Sequence, residues 1–92
     1  MTILVDDPIW PAHGRRWAHL VSDTSRAELH AFAAALGLPR RAFHHDHYDL
    51  PAEIWEQALA AGAEPVNGRE LVRRLRDAGL RHRRARPSPT ND

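Results

Sequence analysis

The sequence predicts a small single α/β domain over residues 1–80, with a largely parallel sheet of three to four short strands and about three helices. Two observations carry this. Apolar residues spaced at period 2 alternate along the chain with apolar residues spaced for a helix, in the order strand, strand, helix, strand, helix, strand, helix. Ninety-two residues, 42% of them hydrophobic, suffice for one thin core.

The elements follow in order. Thr2 to Val5 is short, β-branched and closed by Asp6 and Asp7, which reads as a strand. Pro8 and Pro11 make IWPAHGRRW a loop, because proline withholds a backbone donor. Trp17 to Val21 reads as the second strand. Ser25 and Glu28 have the spacing of a capping box, and Leu29, Phe32, Ala33 and Leu36 form one helical stripe that Gly37 ends. Arg41 to Tyr48 is expected to be the third strand. Pro51 opens a second helix with Ile54, Trp55, Ala58 and Leu59 on its buried face, and Gly62 stops it. Ala63 to Val66 is a short strand. Asn67 and Glu70 cap a third helix, with Val66 and Leu71 as a hydrophobic staple. Leu71, Val72 and Leu75 face inward there, Arg69, Arg73 and Arg76 face solvent, and Gly79 closes it. RHRRARPSPTND, residues 81–92, reads as a basic, disordered tail.

Composition narrows the function classes. With no cysteine, disulfide frameworks and thiolate metal sites are excluded. The N-terminus lacks the basic start and long apolar core of a signal peptide, and no apolar run approaches the roughly 20 residues that span a bilayer. A cytoplasmic protein that does not touch membranes is expected. Residues 69–92 carry eight arginines and three acids, net +5, while residues 1–68 carry five arginines and nine acids, net −4. A basic end on an acidic body suits an anionic partner, either a small molecule or nucleic acid. A thin core with three tryptophans also suits a homodimer.

The stretch FHHDHYD, Phe43 to Asp49, holds three of the seven histidines. On a single strand, His45, His47 and Asp49 would share one face, and His44, Asp46 and Tyr48 the other. His47 and Asp49, helped by Asp46, His44 or Asp6, are candidate ligands for one divalent metal; with imidazole and carboxylate donors, Zn, Mn, Fe or Ni would fit. The bland alternative is a helix-capping Asp49 and a polar sheet rim. In WPAHGRRWAH, His13 and His19 are candidate acid–base groups, and Arg15 and Arg16 candidate anion holders. The competing reading is a loop pinned by Trp10 and Trp17. Asp6 or Asp7, after the first strand, occupies the position of the metal-binding aspartate in many α/β phosphate-transfer enzymes, by analogy only. Ser22 and Asp23 most simply begin the first helix, and His30 sits at the edge of its buried stripe. In a parallel sheet these polar groups would gather beyond the carboxyl ends of the strands.

The pieces WPAHGRxWxHLVSD, ELHAFA and DHYD, with GAEPVNGRELVRRLRDAGLR after them, resemble a small bacterial and phage family known only as a domain of unknown function, over about residues 2 to 81. In that family's pattern the third motif runs about FHxDHYD, so His45 falls on a variable position. The resemblance implies no activity. Two functions stay open: a metal-dependent hydrolase or phosphoesterase with a His/Asp site, and a non-enzymatic module binding nucleic acid, a nucleotide or a protein through the arginine-rich end.

Overall fold

The computed structural model describes residues 2–80. The tail expected over residues 81–92 lies outside the described residues. Six strands and three helices follow in the order β1 (Ile3–Val5), β2 (Trp10–Ala12), β3 (Arg15–Ser22), α1 (Arg26–Ala35), β4 (Phe43–His44), β5 (His47–Pro51), α2 (Trp55–Ala60), β6 (Glu64–Pro65) and α3 (Gly68–Asp77). They form one mixed sheet of order β4-β5-β3-β1-β6, with β2 also paired to β3.

The fold is α/β, but the sheet is mostly antiparallel rather than largely parallel. Among the described residues only β1 and β6 run parallel. Two hairpins account for the difference. His13 and Gly14 both have positive φ, at 51° and 76°, the backbone of a tight two-residue turn. The expected loop IWPAHGRRW therefore folds back on itself, pairing Trp10 with Trp17 and Ala12 with Arg15. Pro11 is tolerated because β2 is a short edge strand. The expected strand over residues 41–48 is likewise broken. Arg40–Ala42 is a single 3-10 turn, and FHHDHYD bends at His45, φ 55°, so that His44 pairs with His47 and Phe43 with Tyr48.

Alternation along the strands divides the core between two faces. Ile3, Val5, Ala18, Leu20, Tyr48 and Leu50 point to one face, where α1 and α2 cover them with Leu29, Ala33 and Ala58. Leu4 and Val21 point to the other face and meet Leu71 and Leu75 of α3. Among the described residues α3 seals only that part of the second face, and beyond it β3 and β5 carry Trp17, His19, His47 and Asp49, which are half-buried.

The helix ends follow the expected chemistry in part. Ser25 Oγ accepts from Glu28 N–H, but the Glu28 carboxylate accepts from Ser22 Oγ instead of returning to Ser25. Ser22 Oγ accepts from the N–H groups of Thr24 and Ser25, so this buried serine builds the start of α1. Gly37, φ 84°, closes α1, with Gly37 N–H donating to Ala34 and Leu38 N–H to Ala33. A 3-10 turn over Ala52–Ile54 separates Pro51 from α2, which is a turn shorter than its apolar spacing suggests. Asn67 Oδ1 accepts from Glu70 N–H, and Val66 and Leu71 join one apolar cluster as a staple requires.

His45 is exposed and holds a left-handed backbone without the permissiveness of glycine. His45→Gly should therefore raise stability by about 0.5–1 kcal/mol in urea denaturation. An unchanged or lower midpoint would show that the imidazole compensates for its backbone cost.

Candidate metal centre

The open half of the sheet gathers most of the polar residues that the sequence singles out. His19 lies midway along β3 and is the cross-strand partner of Asp49 on β5. His47 is two residues before Asp49, on the same face, and the β4–β5 hairpin brings His44 beside both. Each of His19, His47 and Asp49 offers a donor atom within 4.8 Å of the others. His47 Nε2 stands 3.3 Å from Asp49 Oδ1, and His44 Nε2 stands 3.3 Å from Asp49 Oδ2. The rings of His19 and His47 meet edge to face, 4.9 Å between centroids.

Two further carboxylates fix the histidines. Asp6 follows β1 and is buried. Its backbone N–H continues the ladder to His19 O, but its side chain replaces its own carbonyl as the acceptor for His19 N–H, at 2.6 Å. Its other oxygen lies 2.8 Å from His19 Nδ1 and 3.4 Å from Trp10 Nε1. The displaced Asp6 carbonyl accepts from Trp55 Nε1 at 2.9 Å. Asp46 repeats the arrangement on a smaller scale, with Oδ1 2.8 Å from His47 Nδ1. An ionised carboxylate only accepts, so the Nδ1 facing it carries the proton. His47 Nε2 faces a carboxylate as well, that of Asp49, so a metal ion bound between them would take the place of a proton there; Nε2 is the nitrogen that each ring has left for a metal.

This geometry redistributes the expected residues. His47 and Asp49 sit together as expected, with His44 against Asp49. Asp46 and Asp6 hold histidine rings rather than lying beside Asp49. His19, expected as an acid or base, stands among the possible ligands. His45, set beside His47 and Asp49 by the single-strand reading, is instead at an exposed turn. The site lies on the face of the sheet, not beyond parallel strand ends. In an antiparallel sheet the ends of β1 and β3 point opposite ways, which parts Asp6 from Ser22 and Asp23. Asp23 accepts from Thr2 N–H, Thr24 Oγ1 and Arg74 at the far end. Burial pushes the Asp23 carboxyl up, but those hydrogen bonds and the Arg74 charge together bring it below its ordinary value. His30 faces the opposite side of the sheet, with Nδ1 2.8 Å from Tyr48 Oη. Desolvation, then the charges of Arg40 and Arg26, lower its pKa and favour a neutral ring.

Alternation also separates the two arginines. Arg15 shares the face of Trp17 and His19, whereas Arg16 points away. A cleft of about 630 Å³ runs from His19, His44 and Asp49 along this face, lined also by His13, Arg15 and Arg41. A smaller hollow of about 360 Å³ lies on the other side of Trp10 and His19, against the start of α3. Trp10 and Arg41 are cleft residues that the spacing of the sequence does not single out for function.

Asp6→Ala should cost about 2–4 kcal/mol in denaturant unfolding, because it strips acceptors from a buried backbone N–H and from two side chains at once. A loss under about 1 kcal/mol would mean that water takes its place.

Among the described residues no helix is long and apolar enough to cross a membrane. Neither curated proteins nor solved structures give a match to the chain. A family model described as "Protein of unknown function (DUF4031)" matches residues 3–78. The match begins with β1 and ends just past α3, so it spans every strand and helix of the domain, and the chain belongs to this family.

Proposed function

We propose that this domain is a metal-dependent hydrolase of anionic esters, with one divalent ion held by His19, His47 and Asp49. The observation that carries this reading is the pair of Asp–His contacts, Asp6 with His19 and Asp46 with His47, flanking a third carboxylate. Carboxylates behind the distal nitrogens are the usual outer support of metal-binding histidines. Ligand atoms on one ion at about 2.0–2.2 Å lie about 3.0–3.5 Å from each other, and the His47–Asp49 spacing of 3.3 Å already matches. Zn, Mn, Fe or Ni suits two imidazoles and a carboxylate.

A bound ion would supply a water acidified toward neutrality and polarise the ester. The chain's own groups do the rest. Arg15 and Arg41 line the adjoining cleft and suit a substrate anion. His44, exposed at the cleft beside Asp49, is within reach to take a proton from water and return it to the leaving oxygen. In balance, the water oxygen bonds to the phosphorus or carbonyl centre and the ester bond breaks. One water proton ends on the leaving oxygen, and the other stays with the acid product.

A nucleic-acid module built on the arginine-rich end draws less support from the described residues. Arg73 pairs with Glu70 and Asp77, and Arg74 with Asp23 and Glu70, so much of the charge on α3 is matched within the domain.

Elemental mass spectrometry of tag-free protein purified without chelator should find about one equivalent of a transition metal, lost in His19→Ala, His47→Ala and Asp49→Ala. Asp46→Asn should keep the fold and weaken metal binding about ten- to a hundredfold. Hydrolysis of p-nitrophenyl phosphate should be abolished by chelator and restored by metal. No bound metal, with no thermal stabilisation by Zn²⁺ or Mn²⁺, would remove the proposal.

A further inference from the structure

The cleft beside the His/Asp cluster carries chemistry of its own. Its volume, about 630 Å³, falls within the range of small-molecule sites. One wall is aromatic. Trp10 leaves 48% of its surface exposed, although it is among the largest apolar side chains. Its indole N–H reaches Asp6 and its ring packs 5.4 Å from that of His19, so the ring is oriented rather than loose. Trp17, its cross-strand partner, is held by donating to Ala12 O at 2.9 Å. The charges are one-sided. Arg15 and Arg41 line the cleft, and among the described residues its one acidic lining residue is Asp49 of the cluster itself. The nearest competitor for Arg15 is Glu53 at 3.8 Å, an exposed pair that water screens. The Arg15 guanidinium also lies 5.6 Å from the Trp17 ring centre, which orients it without neutralising it.

An oriented, half-exposed tryptophan suits a flat π-system, two arginines suit a dianion, and the cluster adjoins both. We infer that the substrate is a phosphate monoester that carries an aromatic base, a nucleoside monophosphate in chemical class, with its base on Trp10 and its phosphate between Arg15, Arg41 and the His/Asp cluster. This rests on the hydrolase reading above and adds the substrate class to it. The cleft volume suits one nucleotide, and the matched charges of Arg73 and Arg74 leave α3 poorly equipped to follow a longer backbone.

The test is equilibrium binding to the full chain, read by tryptophan fluorescence and calorimetry, with and without Mn²⁺. The probes are adenosine monophosphate, ribose 5-phosphate, adenosine, inorganic phosphate and a single-stranded oligonucleotide. Adenosine monophosphate should bind at least tenfold more tightly than ribose 5-phosphate or adenosine. Trp10→Ala should weaken it about ten- to a hundredfold, the scale of a lost base–aromatic stack. Trp10→Phe should recover most of that loss, and Trp10→Ala should weaken the nucleotide far more than inorganic phosphate. Arg41→Ala should weaken both phosphate probes. If ribose 5-phosphate binds as well as the nucleotide, or Trp10→Ala has no selective effect, the substrate inference fails while metal content still decides the hydrolase reading. Preference for the oligonucleotide would also overturn it. Selective nucleotide binding by a metal-free protein that hydrolyses nothing would keep the cleft assignment and sink the hydrolase reading.

Discussion

The open face of this domain depends on the buried Asp6 carboxylate. It completes the β1–β3 ladder where the backbone leaves it, orients the His19 ring and reaches the Trp10 indole. A carboxylate removed from water needs such donors, since desolvation without them is costly. Its own carbonyl is turned toward Trp55 at the start of α2. One residue thus ties the first strand, the long central strand, the first hairpin and the second helix, and it also sets the tautomer of the histidine at the centre of the cluster.

The second constraint is the length of α3. Ten residues of helix reach about 15 Å, enough to cover Leu4 and Val21 but not the part of the sheet where β3 and β5 run on beyond them. Along one face of β3 the chain passes from Val21, sealed by α3, to His19 and Trp17, which are only half-buried. Apolar residues there would expose a sticky patch. The sequence places histidines and aspartates at those positions instead. The opposite face of the same strands, with Ala18, Leu20, Tyr48 and Leu50, is closed by α1 and α2. Tyr48 and Asp49 are neighbours in sequence, yet one belongs to the core and the other to the cluster, through the period of two alone.

How much of this was legible beforehand follows from the range of each interaction. The helices, their caps at Ser25 and Asn67, and the apolar stripes are local patterns, and the structure follows them except at the start of α2, which a 3-10 turn moves from Pro51 to Trp55. Ser22 builds the start of α1, as its position implies, whereas Asp23 ties that corner to Thr2 and to Arg74 of α3. Strand direction is not local. It turned on two tight turns, at His13–Gly14 and His45–Asp46, and His45 gives no glycine signal for its left-handed backbone. Reading FHHDHYD as one strand put His45 with His47 and Asp49, whereas the hairpin substitutes His44. The density of ionisable groups marks the stretch where the structure sets His44 and His47 beside Asp49, and alternation along β3 sets His19 on the face opposite Ala18 and Leu20. Its partner Asp49 comes from register between segments 30 residues apart, which spacing alone does not encode.

Asp6 and Asp46 hold His19 and His47 with a proton on Nδ1, which leaves Nε2 of each ring for a metal ion and sets His47 Nε2 against Asp49. Long-range proton–nitrogen correlation NMR of the imidazole rings at neutral pH measures this directly. The expected result is a proton on Nδ1 of both rings before and after Zn²⁺ is added, with Nε2 of each moving to a metal-bound shift. Nε2–H tautomers, or Nε2 signals indifferent to Zn²⁺, would contradict it.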